Sequence, residues 1–243
     1  MSDYNFQKNP FKDILNQDNI ATFIGTADTE ITKHHSSKNI NYYTFNLKVK
    51  RLSNAYDIIP VMLNERCYNN IGEDIQGKKV YCSGEVRSYN EQYYDNNNNL
   101  RYHVKVFIYA YDITVNVADD SDDINHVHLS GYLCKDPIYR LTPNKKAITD
   151  LVIAVSRKYS TNKKIDYIPA IAWGTNAVSA SNISKNDRIS IIGRFQSREY
   201  TKNIGDRIMT RTSYEVSISD LIIDCSLRNE STESRLDNQK EES

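Results

Sequence analysis

Three short segments in the first half of this chain reappear in the second half. The pairs are 19–25 with 125–131, 57–60 with 166–169, and 80–84 with 189–193. The interval between equivalent positions stays between 106 and 109 residues. A nearly constant interval over separated strand-like segments is typical of a tandem repeat. The sequence therefore predicts that one fold occurs twice, in residues 19–118 and again in residues 126–224.

The second copy has the pattern of five strands and one helix. Its central run, 165–177, alternates two sets of side chains with a period of two, Tyr167, Pro169, Ile171 and Trp173 against Ile168, Ala170 and Ala172. The other strand-like runs are 126–134, 147–156, 187–200 and 207–223. Only 175–186 leaves room for a helix. Five strands in about a hundred residues, with one short helix between the third and fourth, are typical of an OB-fold barrel. We therefore predict an all-β protein of two tandem five-stranded OB-fold barrels, each with one short helix.

The composition of the segments outside the two copies predicts an arm, a linker and a tail. Residues 1–18 are polar and are expected to form a flexible arm. Residues 119–125 include four aspartates, which predicts a solvated, self-repelling linker between a degenerate first OB-fold domain and the second domain. Residues 225–243 have no aromatic residue and are expected to be a disordered tail. The acidic run lacks the glycine-bearing loop of a calcium site, so no metal is predicted there.

Charge is balanced over the whole chain but not along it. The 31 basic and 31 acidic residues cancel, which taken alone argues against a nucleic-acid partner. Residues 126–224, however, contain 15 basic and 9 acidic residues, whereas residues 1–118 contain 13 of each. The basic excess therefore lies in the second copy. Basic residues interleaved with aromatic residues are what a binder of single-stranded nucleic acid needs.

Several motifs of the second copy occur in a familiar order. They are Gly131, Lys135–Pro137, Arg140, Thr142–Asn144, Ala170–Gly174 and Gly193–Arg198. Together they resemble the DNA-binding domain of bacterial single-stranded DNA-binding proteins. The resemblance implies that the stacking aromatics are Tyr159, Tyr167, Trp173 and Tyr200, and that the phosphate-facing cations are Arg140, Lys185, Arg198 and Arg207. Three further cations lie beside these aromatics or within the matching motifs, and we include them in the predicted site: Arg157, Lys158 and Arg194.

The first copy lacks these aromatics. Ile58, Asn64 and Glu91 occupy the positions equivalent to Tyr167, Trp173 and Tyr200. The first copy has other tyrosines, several of them beside a predicted hairpin at 89–103. The alternation of Tyr102, Val104, Val106 and Ile108 predicts side chains that face a core.

The sequence contains no signature of catalysis. It has no nucleophile with a nearby base, no paired carboxylates, no phosphate-binding glycine loop and no set of metal ligands at a suitable spacing. We therefore expect a protein that is not an enzyme and has no cofactor. The predicted function is sequence-tolerant binding of single-stranded DNA in replication, repair or recombination. The alternative is a replication accessory or assembly protein, similar to primosomal proteins, that acts through protein contacts.

The resemblance also has implications for partners. Family members usually work as four OB domains, and two copies of this chain would supply four as a homodimer. They commonly end in an acidic tail with a short hydrophobic tip, whereas this chain ends Glu241-Glu242-Ser243. Replication or repair proteins are therefore candidate partners, but they are not expected to bind through such a tip. The absence of a leader-like N-terminus and of a long apolar run predicts a cytoplasmic, nucleoid-associated protein.

Overall fold

The computed structural model describes residues 19–72, 74–95, 98–157, 164–204 and 207–223, with the side chains of Tyr200 and 202–211 left out. The first half contains β1 (Asn19–Ala27), β2 (Thr32–Ser37), β3 (Ile40–Lys50), β4 (Tyr56–Asn64), α1 (Glu65–Ile71), β5 (Lys79–Tyr94) and β6 (Leu100–Val115). The second half contains β7 (Ile124–Leu133), β8 (Ile138–Leu141), β9 (Ala147–Ser156), β10 (Ile165–Trp173), α2 (Gly174–Ser181), β11 (Arg188–Ile204) and β12 (Arg207–Ile223). Within the described ranges no helix is long and apolar enough to cross a membrane.

Each half closes into a five-stranded barrel. In the first half, β1 pairs with β3, β3 with β4, β4 with β6, β6 with β5, and β5 again with β1. In the second half, β7, β9, β10, β12 and β11 close in the same order. Only the β4–β6 and β10–β12 pairs among these are parallel. This is the strand order of the OB fold, with the helix after the third barrel strand, so the predicted fold class is confirmed.

Alternation along the strands fills the two cores. In β4, Ile59, Val61 and Leu63 are fully buried, and in β10 the equivalent inward side chains are Ile168, Ala170 and Ala172. Phe23 and Phe45 complete the centre of the first barrel. Phe195 has the same role in the second barrel. Burial of aromatic and aliphatic side chains is the main favourable contribution to the stability of such barrels.

A β-bulge occurs at the same point in both barrels. The register shifts between Ser83 and Gly84 in β5 and between Ile192 and Gly193 in β11. A Cβ atom on either glycine would lie 2.2 Å from a carbonyl oxygen of the neighbouring strand. Only glycine allows this close approach, and a bulge bends the strand so that the barrel can close.

The two barrels join through their first strands. β1 and β7 pair antiparallel, and Ala21 lies opposite Val127, its equivalent in the repeat. The pairing therefore has an approximate two-fold axis at this residue pair. It merges the barrels into one sheet of twelve strands, in the order β2-β3-β4-β6-β5-β1-β7-β11-β12-β10-β9-β8. The order of the second six strands is the reverse of the first six, as this axis requires.

Several details differ from the sequence expectations. The second helix covers Gly174–Ser181, where the pattern allowed 175–186. β7 begins at Ile124, and the preceding Asp123 is not solvated but binds Lys79 and the backbone N–H of Lys50. The predicted arm at 1–18 and the tail at 225–243 lie outside the described residues.

The expectation for the 89–103 hairpin was only partly correct. Val106 and Ile108 face the core as predicted, but Tyr102 and Val104 are exposed. The reason is that β5 and β6 are each 16 residues long and extend past the barrel. The alternating pattern continues into this extension, where there is no core for it to face.

Candidate nucleic-acid interface

The outer face of β10 presents two aromatic rings. Tyr167 and Trp173 alternate with the buried side chains of the strand, and 45% and 42% of their respective surfaces are exposed. Ile171 lies between them on the same face and is buried. Thr149 anchors the following helix to β9 through a 2.7 Å hydrogen bond to the carbonyl of Ala177. β10 also pairs with β9 along its whole length, and this pairing fixes the backbone that carries the two rings.

Trp173 occupies the N-cap position of α2, where it makes no side-chain capping hydrogen bond. Its equivalent in the first copy, Asn64, caps α1 by accepting a 3.0 Å hydrogen bond from the amide of Cys67. A capping side chain usually contributes about 0.5 to 2 kcal/mol. The second copy therefore has a large, half-exposed indole where the fold favours a capping residue. This is the expected pattern when a side chain serves binding rather than stability.

A third exposed aromatic, Tyr132 in β7, lies on the same outer face. Ala154 is the cross-strand partner of both Tyr167 and Tyr132, so the three residues form one row across the sheet. Tyr132 is 47% exposed. This residue is not among those predicted from the sequence. The sequence signal that could have identified it is a tyrosine directly after Gly131, in a part of β7 that is otherwise buried.

Basic side chains surround this face. Arg140 and Trp173 both lie opposite Ile148, so Arg140 is two strands from the indole on the same side of the sheet. Arg194 is in register with Ser217, which is in register with Ile171, and this places Arg194 on the face as well. Arg198 is four residues further along β11 on the same side and is exposed. Lys185 is exposed in the loop after α2, where its backbone amide donates to Asp136.

Two of these arginines are paired with acidic groups. Arg140 donates two hydrogen bonds to Asp150, at 2.7 and 3.1 Å. The hydrogen bond to Asp150 raises the pKa of Arg140. Arg194 lies 3.9 Å from the carboxylate of Asp57, in the first barrel. A phosphate bound here would compete with these carboxylates.

Arg157 lies in the contact between the barrels and not on the outer face of β10. It donates two hydrogen bonds of 2.6 Å to Asp166 and one of 3.2 Å to the carbonyl of Ser88 in β5. The hydrogen bond to Asp166 raises the pKa of Arg157 although burial opposes it. Its position indicates a structural role in addition to any contact with a ligand.

The remaining predicted residues lie wholly or partly outside the described part of the chain. Lys158 and Tyr159 lie outside the described residues. Tyr200 and Arg207 belong to β11 and β12, and only their backbone is described. Within the described part of the chain, no three His, Cys, Asp or Glu side chains are grouped so that they could hold a metal ion.

Comparisons with known proteins point to the same family. Residues 124–224 match the Single-strand binding protein family. A Single-stranded DNA-binding protein of Clostridium tetani is 42% identical over 88 residues, which are 35% of this chain and 61% of that protein. Single-stranded DNA-binding protein A of Bacillus subtilis is 34% identical over 89 residues, 35% of this chain and 52% of that protein. The match therefore spans little more than half the length of these two relatives.

Two further matches extend this result. Single-stranded DNA-binding protein 1 of Streptococcus pyogenes is 36% identical over 89 residues, 35% of this chain and 68% of that protein. The crystal structure of the wild-type single-stranded DNA binding protein from Thermus aquaticus superposes with a TM-score of 0.64, over 85% of this chain and 92% of that chain. Its sequence identity is 21%, so this likeness concerns the fold. The family match over 124–224 and the Streptococcus relative indicate the same family, and the tandem barrels are consistent with it. The chain therefore belongs to the single-strand binding protein family.

Proposed function

We propose that this protein binds single-stranded DNA without strong sequence preference, in replication, repair or recombination. The observation that supports this most directly is the grouping of Tyr132, Tyr167 and Trp173 on one outer face, with Arg194 and Arg198 on the same side. Single strands expose flat bases and evenly spaced phosphates. A face of fixed rings beside cations matches both features. The relatives named above as single-stranded DNA-binding proteins match this same half of the chain.

In this proposal the rings stack on bases and the cations contact phosphates. Each stacked base contributes about 1 to 3 kcal/mol, whatever its identity, because every base has a π-face. Phosphate contacts release counterions and make the affinity depend on salt. The proposed site comprises Tyr132 and the residues predicted from the sequence: Tyr159, Tyr167, Trp173, Tyr200, Arg140, Arg157, Lys158, Lys185, Arg194, Arg198 and Arg207.

Tryptophan fluorescence tests the proposal because Trp173 is the only tryptophan of the chain. Titration with oligo-dT should quench the emission strongly as bases stack on the indole. A parallel titration with oligo-rU compares DNA with RNA. Unchanged emission at saturating oligo-dT would contradict the proposal and favour the accessory-protein alternative, in which the barrels serve protein contacts.

We further propose that the chain acts as a homodimer, which brings four OB barrels together. The outer face of the joined sheet around β1 and β7 supports this. Ile24 lies opposite both Ile124 and Tyr81, and Ile20 lies opposite His128, itself opposite Ile192. Apolar groups therefore lie on four neighbouring strands, on either side of the polar pair Thr22 and His126: Ile20, Ile24, Tyr81, Ile124 and Ile192. A two-fold contact between two such faces would cover them.

A further inference from the structure

A cleft of about 390 Å³ opens on the outer sheet face of the first barrel, the barrel without aromatics at the three family positions. Nine of the residues that line it are aromatic or basic: His34, His35, Tyr42, Arg87, Tyr89, Phe107, Tyr109, Arg157 and Lys164. We infer that this cleft is a second base-stacking subsite for the single strand. The inference rests on the proposed function and extends it to the first barrel.

Strand register brings these side chains together. Arg87 in β5 lies opposite Phe107 in β6, and Glu85 lies opposite Tyr109. Tyr109 is also in register with Met62 of β4, which continues the same face. Cross-strand partners share a face of the sheet, so the arginine and both rings point to the same side.

The rings form a connected platform. Tyr42 stacks on His35 with centroids 4.7 Å apart and planes within 6°. The ring of Tyr109 lies 6.5 Å from that of Tyr42, and the guanidinium of Arg87 lies 3.7 Å from the Tyr109 centroid. Tyr89 meets Phe107 edge to face at 5.8 Å. Tyr89 is 40% exposed, so its ring is accessible to a base.

The charges in the cleft favour stacking over phosphate binding. Glu85 accepts two hydrogen bonds from Arg87, at 3.0 and 3.1 Å, and Asp166 neutralises Arg157 at the rim. Desolvation, with a smaller effect of His34, lowers the pKa of His35, which favours the neutral form of its ring. Lys164 is exposed at the rim and adds one positive charge. A base would therefore gain more here from ring contact than its phosphate would gain from charge.

The aromatic face of the second barrel, which lies next to the cleft, indicates which ligand the cleft binds. Ser88 lies between Arg87 and Tyr89 in the chain, and its hydroxyl accepts a 2.9 Å hydrogen bond from the backbone amide of Tyr167. The cleft of the first barrel is thus adjacent to the aromatic face of the second. A single strand stacked on Tyr167 reaches the cleft as it continues, which makes the same strand the occupant and not a separate ligand.

The aromatic set is specific to the first barrel. In the second barrel, Gln196 and Glu215 occupy the positions of Arg87 and Phe107 and hydrogen-bond each other at 2.8 Å. The fold itself therefore does not require rings at these positions. At the positions of Phe107 and Tyr109, the second barrel has the polar side chains Glu215 and Ser217.

Two oligonucleotide lengths test the inference in the full chain. A dT oligomer of about 8 nucleotides fits one OB domain, and one of about 30 spans both. Binding is followed by anisotropy of the labelled oligomer, while Trp173 emission reports the second barrel. Tyr89→Ala should bind the longer oligomer about 5- to 100-fold more weakly and the shorter one as the unaltered chain does. The matched control is Tyr102→Ala, which removes an exposed tyrosine from the opposite face of the same hairpin and should bind both normally.

The outcomes separate the two proposals. If Tyr89→Ala binds the longer oligomer normally while Trp173 is still quenched, the cleft is not a subsite and the proposed function survives. If neither oligomer quenches Trp173 in the unaltered chain, the proposed function fails, and this inference fails with it. Photo-cross-linking with an oligo-dT that contains 5-iododeoxyuridine gives a second readout. Cross-links to Tyr89 or Phe107 support the subsite, and cross-links confined to the second barrel overturn it.

Discussion

The carboxylate of Asp57, in the first barrel, accepts a 2.9 Å hydrogen bond from the backbone amide of Ser197, in the second. Asp166, the repeat equivalent of Asp57, accepts the reciprocal bond of 2.7 Å from the amide of Ser88. Each aspartate is only 1% exposed. Each also pairs with an arginine of its own barrel, Arg51 for Asp57 and Arg157 for Asp166. The approximate two-fold axis thus produces two equivalent polar contacts that hold the barrels together.

Loss of one of these aspartates should destabilise the protein strongly. Asp166→Ala removes the partner of Arg157 and of the Ser88 amide, and breaking a buried pair by removal of one member typically costs about 3 to 5 kcal/mol. Asp150→Ala is the matched control, because the Asp150–Arg140 pair is exposed and such pairs contribute about 0 to 1 kcal/mol. Urea unfolding gives both free energies. A loss of less than 1 kcal/mol for Asp166→Ala would show that the contact between the barrels is not a stabilising one.

Two substitutions of Trp173 should have the same effect on DNA binding but different effects on the free energy of unfolding. Both Trp173→Ala and Trp173→Asn should weaken oligo-dT binding by about 1 to 3 kcal/mol, since either removes the stacking ring. Asn at an N-cap should make the protein more stable than Ala does, by about 0.5 to 2 kcal/mol. Equilibrium unfolding and anisotropy titrations measure the two effects. Equal stability of the two variants would mean that position 173 does not act as a helix cap.

Release of Arg140 from its acidic partner should strengthen binding. Asp150→Asn leaves the guanidinium free to contact a phosphate, and one added phosphate contact steepens the slope of log K against log salt by about 0.7 for single strands. The slope is measured by titration at several salt concentrations. For the unaltered chain, four to six such contacts correspond to a slope of about −3 to −4. An identical slope in both proteins would show that removal of Asp150 adds no phosphate contact at Arg140.

Tyr132, which the sequence analysis missed, should contribute to binding as Tyr167 does. Tyr132→Ala should weaken oligo-dT binding by about 1 to 3 kcal/mol, because its ring lies in the same cross-strand row as Tyr167. Tyr102→Ala, in the first-barrel hairpin, is again the control. If Tyr132→Ala binds oligo-dT as tightly as Tyr102→Ala does, Tyr132 is not part of the binding site.

Light scattering tests the homodimer. The chain has a mass of 28.1 kDa, so a dimer has about twice that mass. Ile24→Lys introduces a charge between Tyr81 and Ile124 on this face and should yield monomers. Val178→Lys, on the exposed side of α2, should remain dimeric. A monodisperse monomer of the unaltered chain at micromolar concentration would contradict the proposed homodimer.

Much of the fold was predictable because its signals are local. The period-two pattern of 165–177 predicted β10, and the constant interval predicted the second barrel. Exposure of Trp173 was also predictable, since Ala172 and Gly174 beside it are small. The position of Tyr132 was not predictable, because Tyr167 is 35 positions away in the chain and is brought close only by the pairing of β9 with both β7 and β10.

The sequence by itself determined the two barrels, since alternation and turn residues act within one strand or between neighbouring strands. It also determined which half has the positive charge and the family aromatics. Only the tertiary structure decided how the barrels meet and where the aromatics of the first barrel gather. The contacts of Asp57 with Ser197 and of Asp166 with Ser88 join residues that are 140 and 78 positions apart. No local pattern specifies such contacts, because they depend on the β1–β7 register, which sets the axis for both barrels at once.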